Sequence, residues 1–303
     1  MSNSPNPSPI SPAYPLRNHY QLGPLSDETP VFLTQHSTPE NQAIAEKGLI
    51  LLTEVGSTLH GVSDPSTGDD VDEMGICLEP RSHVIGLSHF EQYEFRTQPV
   101  NVRSQAGDID RCVYSLRKWA KLASAGNPTV LMPLFAPVEK DRYVHPLGQK
   151  LLMSSHLFLS KQAGRKFLGY LDGQRSRYLD PGRQDSKHAS RPELVEKYGW
   201  DTKTGYHAIR LALQGKELMQ HHTIVLPMRD CNREFLLRVR QGEFSKEEVT
   251  RRLDERYIPM LKQATEESTL PDTCDMAAID RFLISVYEKF WDDQDHSEWA
   301  SGS

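Results

Sequence analysis

The stretch 48–79 constrains the fold of this chain more than any other. GLILLTEV, residues 48–55, is a short apolar run followed by glycine and predicts a buried strand. Gly56-Ser57-Thr58-Leu59-His60-Gly61 comes next, then a loop rich in Ser, Asp, Pro and Gly. A second strand, 70–79, opens with Asp70-Val71-Asp72. Alternate residues of a strand point the same way, so Asp70 and Asp72 project their carboxylates from one face. Like charges held that close repel, and each favours protonation. A divalent cation resolves the conflict. Mg²⁺ takes hard oxygen ligands and is usually held by one or two carboxylates together with substrate phosphates. Gly56 permits close approach of the backbone to a phosphate, and the Ser57 hydroxyl and following N–H groups can donate to it.

A third carboxylate would complete a two-metal site. Asp108 and Asp110 are both candidates, alternating at the start of a predicted strand over 108–115. Two ions about 3.5–4 Å apart stabilise the attacking and leaving oxygens of an in-line displacement at phosphorus. An isolated D-x-D is common in acidic chains. The order strand, Gly-Ser, spacer, paired Asp and later third Asp gives this one weight.

The rest of the chain predicts a mixed α/β first half and a helical second half. Six prolines in the first 24 residues exclude regular structure there. Residues 1–27 are therefore read as a disordered lead. Helices are predicted at 39–47 and 116–125, and a further strand at 93–100. Beyond about 145 the pattern becomes helical: 146–171, 203–220, 230–240, a helix opened by the Ser245–Glu248 capping box, and 275–291. Pro259 is expected to kink or end the capped helix. Residues 172–192 read as a polar, basic loop. The resulting domains are 28–140 and 141–292, with 293–303 as a disordered tail.

No apolar run reaches the roughly 18 residues of a membrane span. No secretory signal pattern opens the chain. Four cysteines, at 77, 112, 231 and 274, form no C-x-x-C. Together these predict a cytoplasmic protein in a reducing compartment.

Gly56-Ser57-x-x-x-Gly61 followed by Asp70-x-Asp72-x-x-Gly75 resembles the nucleotidyltransferases of the DNA polymerase beta superfamily. Three further segments resemble the RNA-repair-associated branch: Asp110-Arg-Cys-Val-Tyr-Ser-Leu-Arg-Lys118, Gly126-Asn-Pro-Thr-Val-Leu131, and Trp200-Asp-Thr-Lys-Thr-Gly-Tyr-His-Ala-Ile-Arg210. The likeness spans about residues 45–290. It implies an α+β fold, a polymerase-beta-like catalytic domain with a mixed sheet followed by a helical domain. It implies an enzyme that moves an NMP from an NTP to a hydroxyl and releases pyrophosphate. Asp70, Asp72 and Asp110 are then the catalytic and metal-binding residues, holding two Mg²⁺ or Mn²⁺ ions. Asp110 fits the third position better than Asp108, because it stands just before the apolar run toward Tyr114. Two departures stand out. Asp69 replaces the usual serine before the Asp pair, and Met132-Pro133 stands where a Glu is usual.

The chain as a whole has a net charge of −6, yet residues 140–210 hold 14 Lys and Arg against 7 Asp and Glu. Lys203, His207 and Arg210 fall at i, i+4 and i+7, one face of a helix. That face suits a triphosphate, an acceptor strand or simply water. Gly56, Ser57, Lys203, His207 and Arg210 form the expected nucleotide-binding set. Lys161 with Arg165, and the arginines at 175, 177, 183 and 191, are candidates for phosphates. Tyr170 and Tyr178 are candidates for base stacking. The expected acceptor is an RNA or tRNA 3′ end. A protein or small-molecule hydroxyl, and a non-catalytic nucleotide- or RNA-binding protein, are the alternatives.

Overall fold

The computed structural model describes residues 34–63, 70–98, 102, 106–180 and 191–301. The lead 1–27, Asp69 and Arg183 lie outside the described residues. The elements run α1 (Pro39–Lys47), β1 (Leu49–Glu54), α2 (Gly56–His60), β2 (Val71–Cys77), α3 (Arg81–Val84), β3 (Gln92–Arg96), β4 (Ile109–Ser115) and α4 (Leu116–Ser124). They continue through β5 (Asp141–Val144), α5 (Pro146–Met153), α6 (Lys161–Leu179), α7 (Pro192–Tyr198), α8 (Thr202–His221), α9 (Asp230–Arg240), α10 (Lys246–Arg252), α11 (Ile258–Glu267) and α12 (Met276–Ser301). Among the described residues no helix is long and apolar enough to cross a membrane.

The five strands form one mixed sheet in the order β3-β4-β2-β1-β5. β2 and β4 pair in parallel, and the other neighbours pair antiparallel. β1 is buried along its whole length, as LILLTE requires of a strand covered on both faces. β5 pairs with β1, so the sheet takes its fifth strand from beyond residue 140, where the sequence places the helical domain.

Each face of the sheet packs on its own apolar cluster. The smaller joins Ala45, Leu49, Leu52, Cys77, Tyr93 and Val113 beneath α1. The larger runs without a break from Ile50, Met74 and Ile76 through Trp119 and Phe167 to Tyr206, Ile209 and Val286. The helical half is therefore seated on the sheet by a shared core. α6 and α8 form its centre, and their close approach rests on small residues. A Cβ on Gly215 of α8 would come 2.9 Å from the Phe167 Cβ of α6.

Several local expectations hold. Leu116, Ala120 and Ala123 of α4 are buried, and Ser115 caps that helix by accepting from Lys118 N at 3.1 Å. Ser245 caps α10 in the same way, accepting from Glu248 N at 3.1 Å. Three expectations need correction. Residues 172–179, read as loop, complete α6. Tyr178 on that helix is 2% exposed and packs edge-on against Trp200, so it is not free to stack on a base. Pro259 does not end its helix. A π turn over Leu253–Tyr257 precedes it, with Ile258 N bonded to Leu253 O, and the helix runs on as α11. Finally, α12 continues through Ser301, past residue 293 where a tail is expected.

Candidate functional site

The parallel register of β2 and β4 builds the acidic centre. It pairs Val71 with Ile109 and Asp72 with Asp110. Carboxylate oxygens of Asp70, Asp72 and Asp110 all lie within 4.8 Å of one another, each half-buried. Asp108 points elsewhere in the bonding pattern: Thr97 Oγ1 donates to it at 2.9 Å and Gln98 Nε2 at 3.0 Å. The structure thus brings Asp110, not Asp108, to the D-x-D pair.

Two neighbours make this crowding tolerable. Arg96, opposite Asp110 on β3, donates from Nε to Oδ1 at 2.7 Å and from Nη2 to Oδ2 at 3.1 Å. This bond to Asp110 raises the Arg96 pKa, and the charges of Asp70 and Asp72 add to the effect. Gly56 is the second neighbour. Its φ is +70°, and a Cβ there would lie 2.0 Å from Asp72 Oδ2. Glycine is needed both for the left-handed backbone and for room. The carboxylate of Asp72 therefore occupies the bare side of Gly56 that the sequence reading left open for a phosphate. Three hard oxygen donors converging around a glycine cradle fit Mg²⁺ or Mn²⁺.

A cleft of about 470 Å³ separates this centre from α8. Gly56, Asp72 and Asp110 line one side, Arg210, Leu211 and Gln214 the other, with Met132 and Thr129 between. Of the three candidate cations on α8, only Arg210 lines the cleft. Lys203 and His207 share its helix face but stand outside the lining, and His207 packs against Tyr206 with centroids 4.7 Å apart. Ser57, second residue of α2, is half-buried and also outside the lining.

Arg210 is held by neutral partners. Its Nη1 contacts His60 Nε2 and lies 3.2 Å from the Gln214 side-chain amide, and its Nη2 lies 3.5 Å from His207 Nδ1. The Gln214 amide lies 3.0 Å from His60 Nδ1. Among the described residues Arg210 makes no ion pair, and its Nε is buried without an acceptor. Burial, then the Arg210 charge, holds His60 well below the usual imidazole range; the same causes act on His207. Burial lowers the Arg210 pKa as well. His60 and Gln214 are site residues that sequence reasoning missed. Their signals are slight: a histidine inside the Gly-Ser segment, and a glutamine one turn after Arg210.

The reverse face of the same strands carries a different cluster. Glu73, next to Asp72, receives both Nε and Nη2 of Arg111 at 2.7 Å, and both side chains are 5% exposed. Glu54 on β1 accepts from Lys140 Nζ at 2.7 Å and from Arg142. Pairing also consumes much of the basic 140–210 segment. Arg165 meets Asp272, Arg175 meets Asp254, and Arg191 meets Asp201. Lys161 donates to the Glu266 carbonyl at 3.3 Å. Tyr170 is 40% exposed, its hydroxyl held by Asn127 Nδ2 at 3.1 Å.

Residues 33–285 match the family described as "RNA repair pathway DNA polymerase beta family". Among solved structures, a nucleotidyltransferase-like protein from Exiguobacterium sibiricum 255-15 aligns over 75% of this chain and 72% of its own, at 12% identity and a TM-score of 0.27. That resemblance is too slight to carry weight. No curated protein matches.

Proposed function

The chain belongs to the RNA repair pathway family of DNA polymerase beta relatives, and from that premise we propose that it transfers an NMP from an NTP to an RNA 3′ hydroxyl, releasing pyrophosphate. One observation carries the reading. Asp72 and Asp110 of the acidic triad line the same cleft as Arg210, a guanidinium without a carboxylate partner among the described residues. A triphosphate chelated to a divalent cation matches both sides at once.

Asp70 and Asp72 would hold the metal, and Asp110 completes the set. Mg²⁺ or Mn²⁺, when bound, neutralises charge on the phosphates and makes the acceptor hydroxyl more acidic. Arg210 grips phosphate oxygens from the opposite wall, where its planar fork can take two at once. Asp110 takes the proton of the acceptor hydroxyl as its oxygen bonds to the α-phosphorus and the bond to pyrophosphate breaks. Most of the acceleration comes from position and charge rather than covalent chemistry.

The family description and exposed Tyr170 support an RNA acceptor. The pairing of Arg165, Arg175 and Arg191 favours a second reading, a protein or small-molecule hydroxyl, because it leaves less free positive surface. Incubation with α-phosphorus-labelled NTPs and Mg²⁺ decides. Pyrophosphate release with label at RNA 3′ ends supports the proposal. Label in protein or a small acceptor moves it to the second reading. Nucleotide binding without pyrophosphate release overturns both.

A further inference from the structure

Arg210 poses a physical problem that the cleft alone does not solve. A buried guanidinium is costly unless it is paired and hydrogen-bonded. Here the surrounding groups are imidazoles and an amide. The side chain has five N–H donors, and two sets of them are oriented by neutral acceptors. A carboxylate at position 60 would satisfy those donors better. It would also cancel the charge that faces the cleft.

His60 is well placed to orient without cancelling. It is 4% exposed, and Gln214 contacts its other ring nitrogen at 3.0 Å. Its backbone carbonyl accepts from Met228 N at 3.1 Å, which pins the end of α2 to the segment before α9. The same five-residue helix begins at Gly56, against which Asp72 lies. α2 therefore links the metal-facing carboxylate at one end to the phosphate-facing arginine at the other.

We propose that His60 is a positioning residue of the triphosphate site: its Nε2 accepts from Arg210 Nη1, its Nδ1 carries the proton and donates to the Gln214 side-chain amide turned with its oxygen toward the ring, and the guanidinium is fixed toward the cleft with its positive charge left for the phosphates. This rests on the reading of the cleft as the NTP site. His60 itself need not touch the nucleotide. His207 acts on His60 alongside Arg210, and Gln214 faces it from α8; Lys203, Arg191 and Arg240 act on His207.

The test is calorimetric titration of inorganic tripolyphosphate, with Mg²⁺, into the full chain and its variants. Melting curves first establish that each variant is folded. Arg210→Ala should weaken binding by about tenfold or more, the loss of one charge-assisted contact. His60→Leu should weaken it comparably, and His60→Gln, which keeps a neutral acceptor, should restore most of the affinity. His60→Glu has nearly the volume of the Gln variant and adds only a charge. It should bind several-fold more weakly than His60→Gln. In the Arg210→Ala background, His60→Leu should add nothing. Full additivity in that background, or equal affinity of the Gln and Glu variants, overturns the proposal. So does unchanged affinity in a folded His60→Leu variant. Unchanged affinity in Arg210→Ala overturns the placement of the triphosphate itself, a separate and earlier failure.

Discussion

Asp72 and Glu73 are neighbours on β2, yet they lead opposite lives. On Glu73's face, the buried Arg111 pair and the partly exposed Glu54 cluster bring opposite charges together in a paired network. On Asp72's face, three carboxylates crowd together with Arg96 on one of them, across a cleft from Arg210. The first arrangement sets unlike charges together. The second gathers like charges, and groupings of that kind cluster at functional sites more than in scaffolds.

The sharpest way to break this comparison is to neutralise each carboxylate in turn. Asp72→Asn should cut nucleotidyl transfer by about a thousandfold or more, since it removes a metal ligand. Its melting temperature without metal should hold or rise, because a repulsion is removed. Glu73→Gln should do the reverse. It takes the buried carboxylate charge away from Arg111, at a cost of about 3–5 kcal/mol in urea unfolding. A Glu73→Gln variant as stable as the parent would show that the paired face is not what holds the strands.

Arg96 offers a finer test. It is the counter-charge of Asp110, so it competes with any cation there. Arg96→Ala should tighten Mg²⁺ binding severalfold by calorimetry and enlarge the rise in melting temperature on adding Mg²⁺. A weaker affinity would mean that Arg96 instead orients Asp110 for the metal.

The smallest expected effect is on pH stability. His60 and His207 are held neutral in the fold, well below the 6.5 of an ordinary imidazole. The unfolded chain therefore takes up protons first as pH falls. The contribution of these groups is complete above about 6.5 and is lost progressively below it, toward the folded values. His60→Gln should flatten the slope of unfolding free energy against pH by up to one proton between pH 6.5 and 5.5, compared with the parent. An unchanged slope would place His60 in contact with water.

The sequence made these two faces unequally legible. D-x-D could be read because strand alternation is a local property of three residues. The residue pattern leaves Asp108 and Asp110 both open, and only the family resemblance favours Asp110; the β2–β4 register and the bonds from Thr97 and Gln98 give that preference a physical cause. The helix expected over 203–220 is present as α8, but its three candidate cations are not equivalent: helix phase alone cannot say which one meets the cleft. His60 was invisible as a site residue because its partner lies 150 residues away. The end of α6 was misread because Arg175 and Arg177 made it look like a loop. Ala163, Phe167 and Leu171, buried at four-residue spacing, carry the helix through to the equally buried Tyr178.

The central claim is that the Asp72 face binds a cation and the Glu73 face does not. Calorimetric titration of Mg²⁺ into the parent, Asp72→Asn and Glu73→Gln chains, each in the presence of a non-hydrolysable NTP, tests it directly. The account predicts saturable binding in the parent and in folded Glu73→Gln, with a loss of at least about tenfold in Asp72→Asn. Equal Mg²⁺ affinity in the parent and Asp72→Asn would contradict it.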